Sequence, residues 1–236
     1  MCMTVLYNIP TGCKKIDEIL EGGVPNRQVS LLYGEAETGK TTLAMQCAVN
    51  CARQGYKTLF VDCDGTFSAR RLSQIASGNF KNIMESIILM KPSDFGEQAI
   101  IIDRLTEYIT KKFKLVVIDT LTSLYRAETA EYPEKTFELN RELNRQVACL
   151  AQIAKTRKIA VLTTSQVRSV FNEALVSIEP VATRVLKFWA DIIVVMKPTK
   201  NHQIIRVIVE KYRKKVLSSA CQLKIEETGI HECSIH

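Results

Sequence analysis

The chain has 236 residues, 46% apolar and 24% charged. That is enough for one well-buried α/β domain spanning residues 1–236, and it excludes collagen-like, mucin-like and disordered sequences. A formal charge of +7 suits a polyanionic partner such as nucleic acid, but mildly basic chains are common without one, so charge alone carries little weight.

The amino terminus has no basic segment followed by an apolar one, and no apolar run is long enough to span a bilayer, so a cytoplasmic protein without membrane contact is expected. In chain order the predicted strands are Val29–Tyr33, Thr58–Asp62, Ser86–Met90, Leu115–Asp119 and Ala160–Ser165, with amphipathic helices between them. Ser93 and Asp94 mark a helix start that runs on through Ile102 and Ile109. Leu139, Leu143, Val147, Leu150 and Ala154 form a stripe that should face the sheet. After Trp189 the rhythm changes to successive strands at Asp191–Lys197, Ile204–Glu210 and Ala220–Ile225. The expected fold is therefore a mainly parallel twisted sheet flanked by helices, with an antiparallel C-terminal extension on one edge. The eight cysteines form no CxxC pair, and Cys47 and Cys51, one helical turn apart, are read as buried free thiols rather than a metal clip.

The strongest signal is Gly34-Glu35-Ala36-Glu37-Thr38-Gly39-Lys40-Thr41, a full GxxxxGK[ST] match between a predicted strand and a helix opening at Thr42. Glycines let the loop backbone turn its N–H groups onto phosphates, and the helix N-terminus adds partial positive charge. Lys40 is placed to reach the β- and γ-phosphates of ATP, and the Thr41 hydroxyl to complete a magnesium shell. Asp119, at the carboxyl end of an apolar strand, supplies the second metal contact, through water because magnesium keeps much of its hydration.

Further motifs carry a family resemblance. Ile9-Pro10-Thr11-Gly12 with Asp17, then Gly22-Gly23-Val24-Pro25, precede the phosphate loop. Val61-Asp62-Cys63-Asp64-Gly65-Thr66-Phe67, Asp119 through Leu124-Tyr125-Arg126, and Thr163-Thr164-Ser165-Gln166-Val167 follow it. In this order they resemble the RecA superfamily of ATPases over essentially the whole chain. Only 33 residues precede Gly34, too few for the helical DNA-binding domain of RadA-type recombinases, and no obvious Phe-x-x-Ala linker segment of the kind those proteins use to polymerise is present. The sequence is most similar to the RadB group of small archaeal relatives of RadA. That resemblance implies a nucleoid-associated protein with a RecA-like core, ATP binding with weak hydrolysis, modest DNA binding and no strand exchange of its own. It also implies contacts with a RadA-type recombinase and a Holliday-junction nuclease, and a possible homodimer.

By the same resemblance Asp64 stands where the family has the glutamate that activates the attacking water, one methylene shorter. Gln166 matches the γ-phosphate sensor. Arg71 matches an arginine that stacks on adenine, although an exposed helical arginine explains it as well. Lys211 and Arg213 resemble a K-x-R strand pair that reaches a neighbouring subunit's ATP, with an ordinary basic strand edge as the alternative. The family's two DNA loops fall on 127–134, which holds three glutamates that repel phosphate, and on 167–184, which offers Arg168, Phe171 and Arg184. A KaiC-like regulatory ATPase shares the phosphate loop and the K-x-R strand, and a non-enzymatic, ATP-gated adaptor is the reading from another class.

Overall fold

The computed structural model describes residues 8–172, 175–180, 182–213 and 215–233, with side chains described for all of these except 168–172, 175–180 and 183. A small ribbon of β1 (Asn8–Ile9) and β2 (Val24–Pro25) brackets α1 (Lys14–Ile19). The core then alternates: β3 (Val29–Gly34), α2 (Lys40–Arg53), β4 (Lys57–Asp62), α3 (Ala69–Ala76), α4 (Phe80–Glu85), β5 (Ile87–Met90) and α5 (Phe95–Tyr108). It continues with β6 (Phe113–Asp119), α6 (Ser123–Glu131), a 3₁₀ turn at Pro133–Lys135, α7 (Thr136–Arg157) and β7 (Ala160–Ser165). A hairpin of β8 (Val167–Asn172) and β9 (Leu175–Pro180) leads through α8 (Thr183–Trp189) to β10 (Ile192–Pro198), β11 (Ile204–Tyr212), β12 (Lys215–Glu226) and β13 (Gly229–Glu232).

One nine-stranded sheet, ordered β13-β12-β11-β10-β3-β7-β6-β4-β5, runs through the molecule. The strands from β10 to β5 are parallel to one another, whereas β11, β12 and β13 are antiparallel. The expected parallel core with an antiparallel edge is therefore present, with one refinement. The strand at Ile192–Pro198 belongs to the parallel part, because α8 carries the chain back before it pairs with β3.

Alternation along the strands sends successive side chains to opposite faces. Val29, Leu31, Tyr33, Val116 and Ile118 join the cluster under α5 and α7, while Leu32, Leu115, Val117 and Leu162 join the cluster under α2 and α3. The stripe Leu139, Leu143, Val147, Leu150 and Ala154 lies on α7 and is buried in the first of these clusters. Asp94 caps α5, its carboxylate accepting from the Glu97 N–H at 2.7 Å, and the buried face of the helix starts at once with Phe95.

Two stretches expected as loops are regular. Residues 127–131 continue α6, since Ala127, Glu128, Ala130 and Glu131 are good helix formers. Residues 167–172 and 175–180 pair as the antiparallel β8 and β9, where Val167, Val170, Phe171, Val176 and Ile178 favour extended backbone. Among the described residues, no helix is long and apolar enough to cross a membrane.

The C-terminal hairpin is fastened to the phosphate-loop helix by one side chain. Gln46 on α2 donates to the Ile230 carbonyl at 3.1 Å and accepts from the Ile230 N–H at 2.8 Å. Gln46→Leu should leave the Ile230 N–H buried and unpaired, with the carbonyl keeping only the Cys13 thiol at 3.1 Å, and cost on the order of 1–3 kcal/mol in urea denaturation. Burial also pushes the Cys13 thiol up to about 12 and the Cys51 thiol up to about 11, and raises those of Cys47 and Cys63. Burial raises the Cys149 and Cys221 thiols too, but these and Cys233 are partly exposed, so at pH 8 a thiol reagent should modify them in the folded protein before the four buried ones, as peptide mapping would show.

Candidate nucleotide-binding site

The phosphate loop leaves the end of β3, a strand buried along its whole length, and closes into α2. A β-carbon on Gly34 would stand 2.1 Å from the Met196 carbonyl, so only glycine lets β3 end this close to β10. Gly39 caps α2 with φ +86°, in the left-handed region, and a side chain there would press on Ile225 and Ile230 of the C-terminal hairpin. Inside the loop the Glu35 carbonyl accepts from Thr38 Oγ1 at 2.8 Å and from Lys40 Nζ.

A cavity of about 360 Å³ opens over this loop, lined by Ala36, Glu37, Lys40, Thr41, Asp64, Thr66, Thr120, Gln166 and Val167. Four elements supply it: the loop, the turn after β4, the turn after β6 and the end of β7. All lie at the carboxyl edge of the parallel strands, where α/β sheets bind ligands. Lys40 is the one cation among these described lining residues.

Burial lowers the Lys40 ammonium pKa, with Asp119, Asp64 and Glu35 pulling it back up. Burial likewise raises the Asp119 carboxyl, against hydrogen bonds from Thr164 and Thr41 that favour the charged form. Thr164 Oγ1 donates to Asp119 Oδ1, while Oδ2 is buried with no hydrogen-bond partner among the described residues. A dry lysine at a loop of backbone donors fits phosphate, and a dry carboxylate oxygen beside a threonine hydroxyl fits a hydrated divalent cation. Among the described residues no cluster of His, Cys, Asp and Glu holds a metal by itself.

Asp64 lies in the turn between β4 and α3. Asp62, fully buried, closes that turn by accepting from the Thr66 and Phe67 N–H groups at 3.0 and 3.1 Å. Thr120 Oγ1 donates to Asp64 Oδ2 at 3.1 Å. Gln166 follows β7, and its Oε1 accepts from Arg126 of α6. Thr42 follows Thr41 on α2 and is half-buried. Arg71, near the start of α3, donates to the carbonyls of Glu227 and Glu226, both at 2.7 Å, and so clasps the β12–β13 turn beside Gly39. The edge of its guanidinium is thereby engaged.

Other predicted positions lie elsewhere. Lys211 donates to the Ala190 carbonyl, and Arg213 pairs with Glu21 at 3.4 Å and lies over the Tyr212 ring at 5.0 Å. These partners sit at the amino edge of β10, opposite the phosphate loop. Arg184 is exposed on α8. Arg168 and Phe171 are on β8, opposite Glu179 and Val176 in register, and their side chains lie outside the described residues. Sequence reasoning overlooked Thr164 as the residue that holds Asp119, Thr120 as a contact of Asp64, and Arg126 as the partner of Gln166. All three stand inside the quoted motifs, so position in a motif was the available signal.

Known proteins match this arrangement along its length. Residues 3–233 match the Rad51 family. The "DNA repair and recombination protein RadB" of Methanocaldococcus jannaschii is 34% identical over 197 residues, covering 84% of this chain and 90% of that protein. Its counterpart from Methanococcoides burtonii is 30% identical over 227 residues, covering 96% of this chain and 99% of its own. A solved structure described as "Crystal structure of the RadB recombinase" superposes with a TM-score of 0.83 at 32% identity, covering 96% of this chain and all of the other. The chain belongs to the Rad51 family, and within it to the RadB group.

Proposed function

We propose that this protein binds ATP with magnesium, hydrolyses it weakly, binds DNA modestly and serves DNA repair and homologous recombination as a mediator or regulator, not as a strand-exchange recombinase. The observation that carries this reading is the meeting of Lys40, Thr41 and Asp64 around one cavity, with the buried Asp119 joined to Thr41 beside it and the shorter acid at the base position. Magnesium, when bound, neutralises charge on the transferring phosphoryl group. The residues of the chain do the rest. The loop N–H groups and Lys40 hold the phosphates, and Thr41 and Asp119 hold the metal. Gln166 donates to the γ-phosphate, and Asp64 takes the proton of the attacking water.

Aspartate withdraws its carboxylate by about 1.5 Å relative to glutamate, and a misplacement near 1 Å costs roughly 10²-fold in rate. Thr120 also holds one Asp64 oxygen back toward the turn. This supports slow turnover. Lys211 and Arg213 face away from the chain's own phosphate loop, which supports a role toward the nucleotide of a second copy, in a homodimer or short head-to-tail assembly. DNA would meet the β8–β9 hairpin and α8, through Arg168, Phe171 and Arg184, rather than the glutamate-bearing α6. A RadA-type recombinase and a Holliday-junction nuclease are the protein partners that fit this role, in the cytoplasm at the nucleoid. The whole chain acts as one RecA-like domain.

A second reading, an adaptor in which bound ATP gates protein contacts without turnover, is favoured by the same restrained Asp64 and by the acidic α6. Asp64→Glu separates the two. Turnover should rise by roughly tenfold or more, measured as phosphate release. An unchanged or lower rate would show that Asp64 is not a misplaced base, and stoichiometric ATP retained for hours without phosphate release would establish the adaptor. Lys40→Ala should weaken binding of a fluorescent ATP analogue by at least about tenfold, since it removes the one buried cation that meets the phosphates. Single-stranded DNA should leave the hydrolysis rate little changed, and strong stimulation would indicate an active recombinase-type motor instead.

A further inference from the structure

Two segments run from the cavity to the surface, and one hydrogen bond ties them together. The first is α6, which follows Asp119; the second is β8, which follows Gln166. Arg126, exposed on α6, donates from Nη1 to Gln166 Oε1. No carboxylate forms an ion pair with Arg126 among the described residues, and no other described side chain hydrogen-bonds the Gln166 carboxamide.

A carboxamide has an accepting end and a donating end, and half a turn about its last bond exchanges them. Phosphate oxygens at neutral pH mainly accept, so Gln166 can recognise a γ-phosphate only with Nε2 turned into the cavity. With Oε1 forward, a partial negative charge would face the anion. A guanidinium has five N–H donors and no acceptor, so Arg126 can engage only Oε1. Whenever it does, the donor end is the one left for the cavity.

We propose that Arg126 is a positioning residue for γ-phosphate recognition: it sets the orientation of the Gln166 amide, and through it α6 is coupled to the nucleotide. This rests on the reading of the cavity as an ATP site with Gln166 at the γ-phosphate. It gives the acidic α6 a part in the site without contact to DNA. A partner that displaces α6 releases the amide and with it the distinction between ATP and ADP.

The test is binding of a slowly hydrolysed fluorescent ATP analogue and of fluorescent ADP to the full chain, as wild type, Gln166→Ala, Arg126→Ala, Arg126→Lys and the double alanine variant. Arg126→Ala should weaken the ATP analogue by about tenfold and leave ADP binding unchanged. A merely structural role would not divide the two nucleotides in this way. Arg126→Lys should recover part of the loss, because an ammonium also donates to Oε1. The double variant should be no worse than Gln166→Ala alone, since both changes remove one contact. Loss of discrimination in Gln166→Ala but not in Arg126→Ala would overturn the proposal, as would simple addition of the two effects. A wild-type chain that binds neither nucleotide, or both equally, would instead overturn the reading of the cavity itself.

Discussion

The phosphate loop depends on one close approach. β3 can end against β10 only because nothing projects from Gly34 toward the Met196 carbonyl. That contact fixes where the chain turns out of the sheet and where α2 begins. It also ties the loop to the strand that opens the C-terminal extension. The extension returns the contact from the far side, with Ile225 and Ile230 against Gly39 and Gln46 clamping Ile230 to α2. The antiparallel strands are thus part of the scaffold that keeps the loop in place, and not merely an appendage on the sheet edge.

Around that loop the charges are held dry. A buried ammonium at Lys40 and a buried carboxylate at Asp119 each lose hydration, and within one chain each recovers only part of it. Under the proposed function, phosphate and a divalent cation would supply the missing partners together. Threonines do the fine placement. Thr164 directs one oxygen of Asp119, and Thr120 holds one oxygen of Asp64 toward its turn.

The sheet also acts as a spacer. Ala190, which receives Lys211, lies six positions before Met196, which abuts Gly34, and that is roughly 20 Å of extended chain. A basic pair at that remove cannot serve the phosphate loop of its own chain. At the carboxyl edge the two segments that leave the cavity are a helix and a hairpin instead of open loops, and regular backbone carries the position of Gln166 and Asp119 outward more rigidly than a loop would.

How much of this was legible in the sequence follows from the range of each interaction. The strand–loop–helix around Gly34 and Lys40 could be read directly, because the left-handed glycine, the capping geometry and the apolar strand are written within a dozen consecutive residues. The same holds for Asp119 at the end of β6 and for the α7 stripe, where periodicity alone marks the buried face. Helix α6 was obscured by expecting a loop at that place, although its alanines and glutamates favour helix locally. What the sequence by itself determined was the set of motifs, a GxxxxGK[ST] loop between strand and helix, an aspartate at the end of an apolar strand and a second aspartate in the turn after β4. Only the tertiary structure decided what stands beside them: that β10 runs parallel, that Arg71 clasps a turn more than 150 residues away, and that Arg126 meets Gln166. Those contacts join residues distant along the chain, and their partners are chosen by the order of strands in the sheet, which no local pattern encodes.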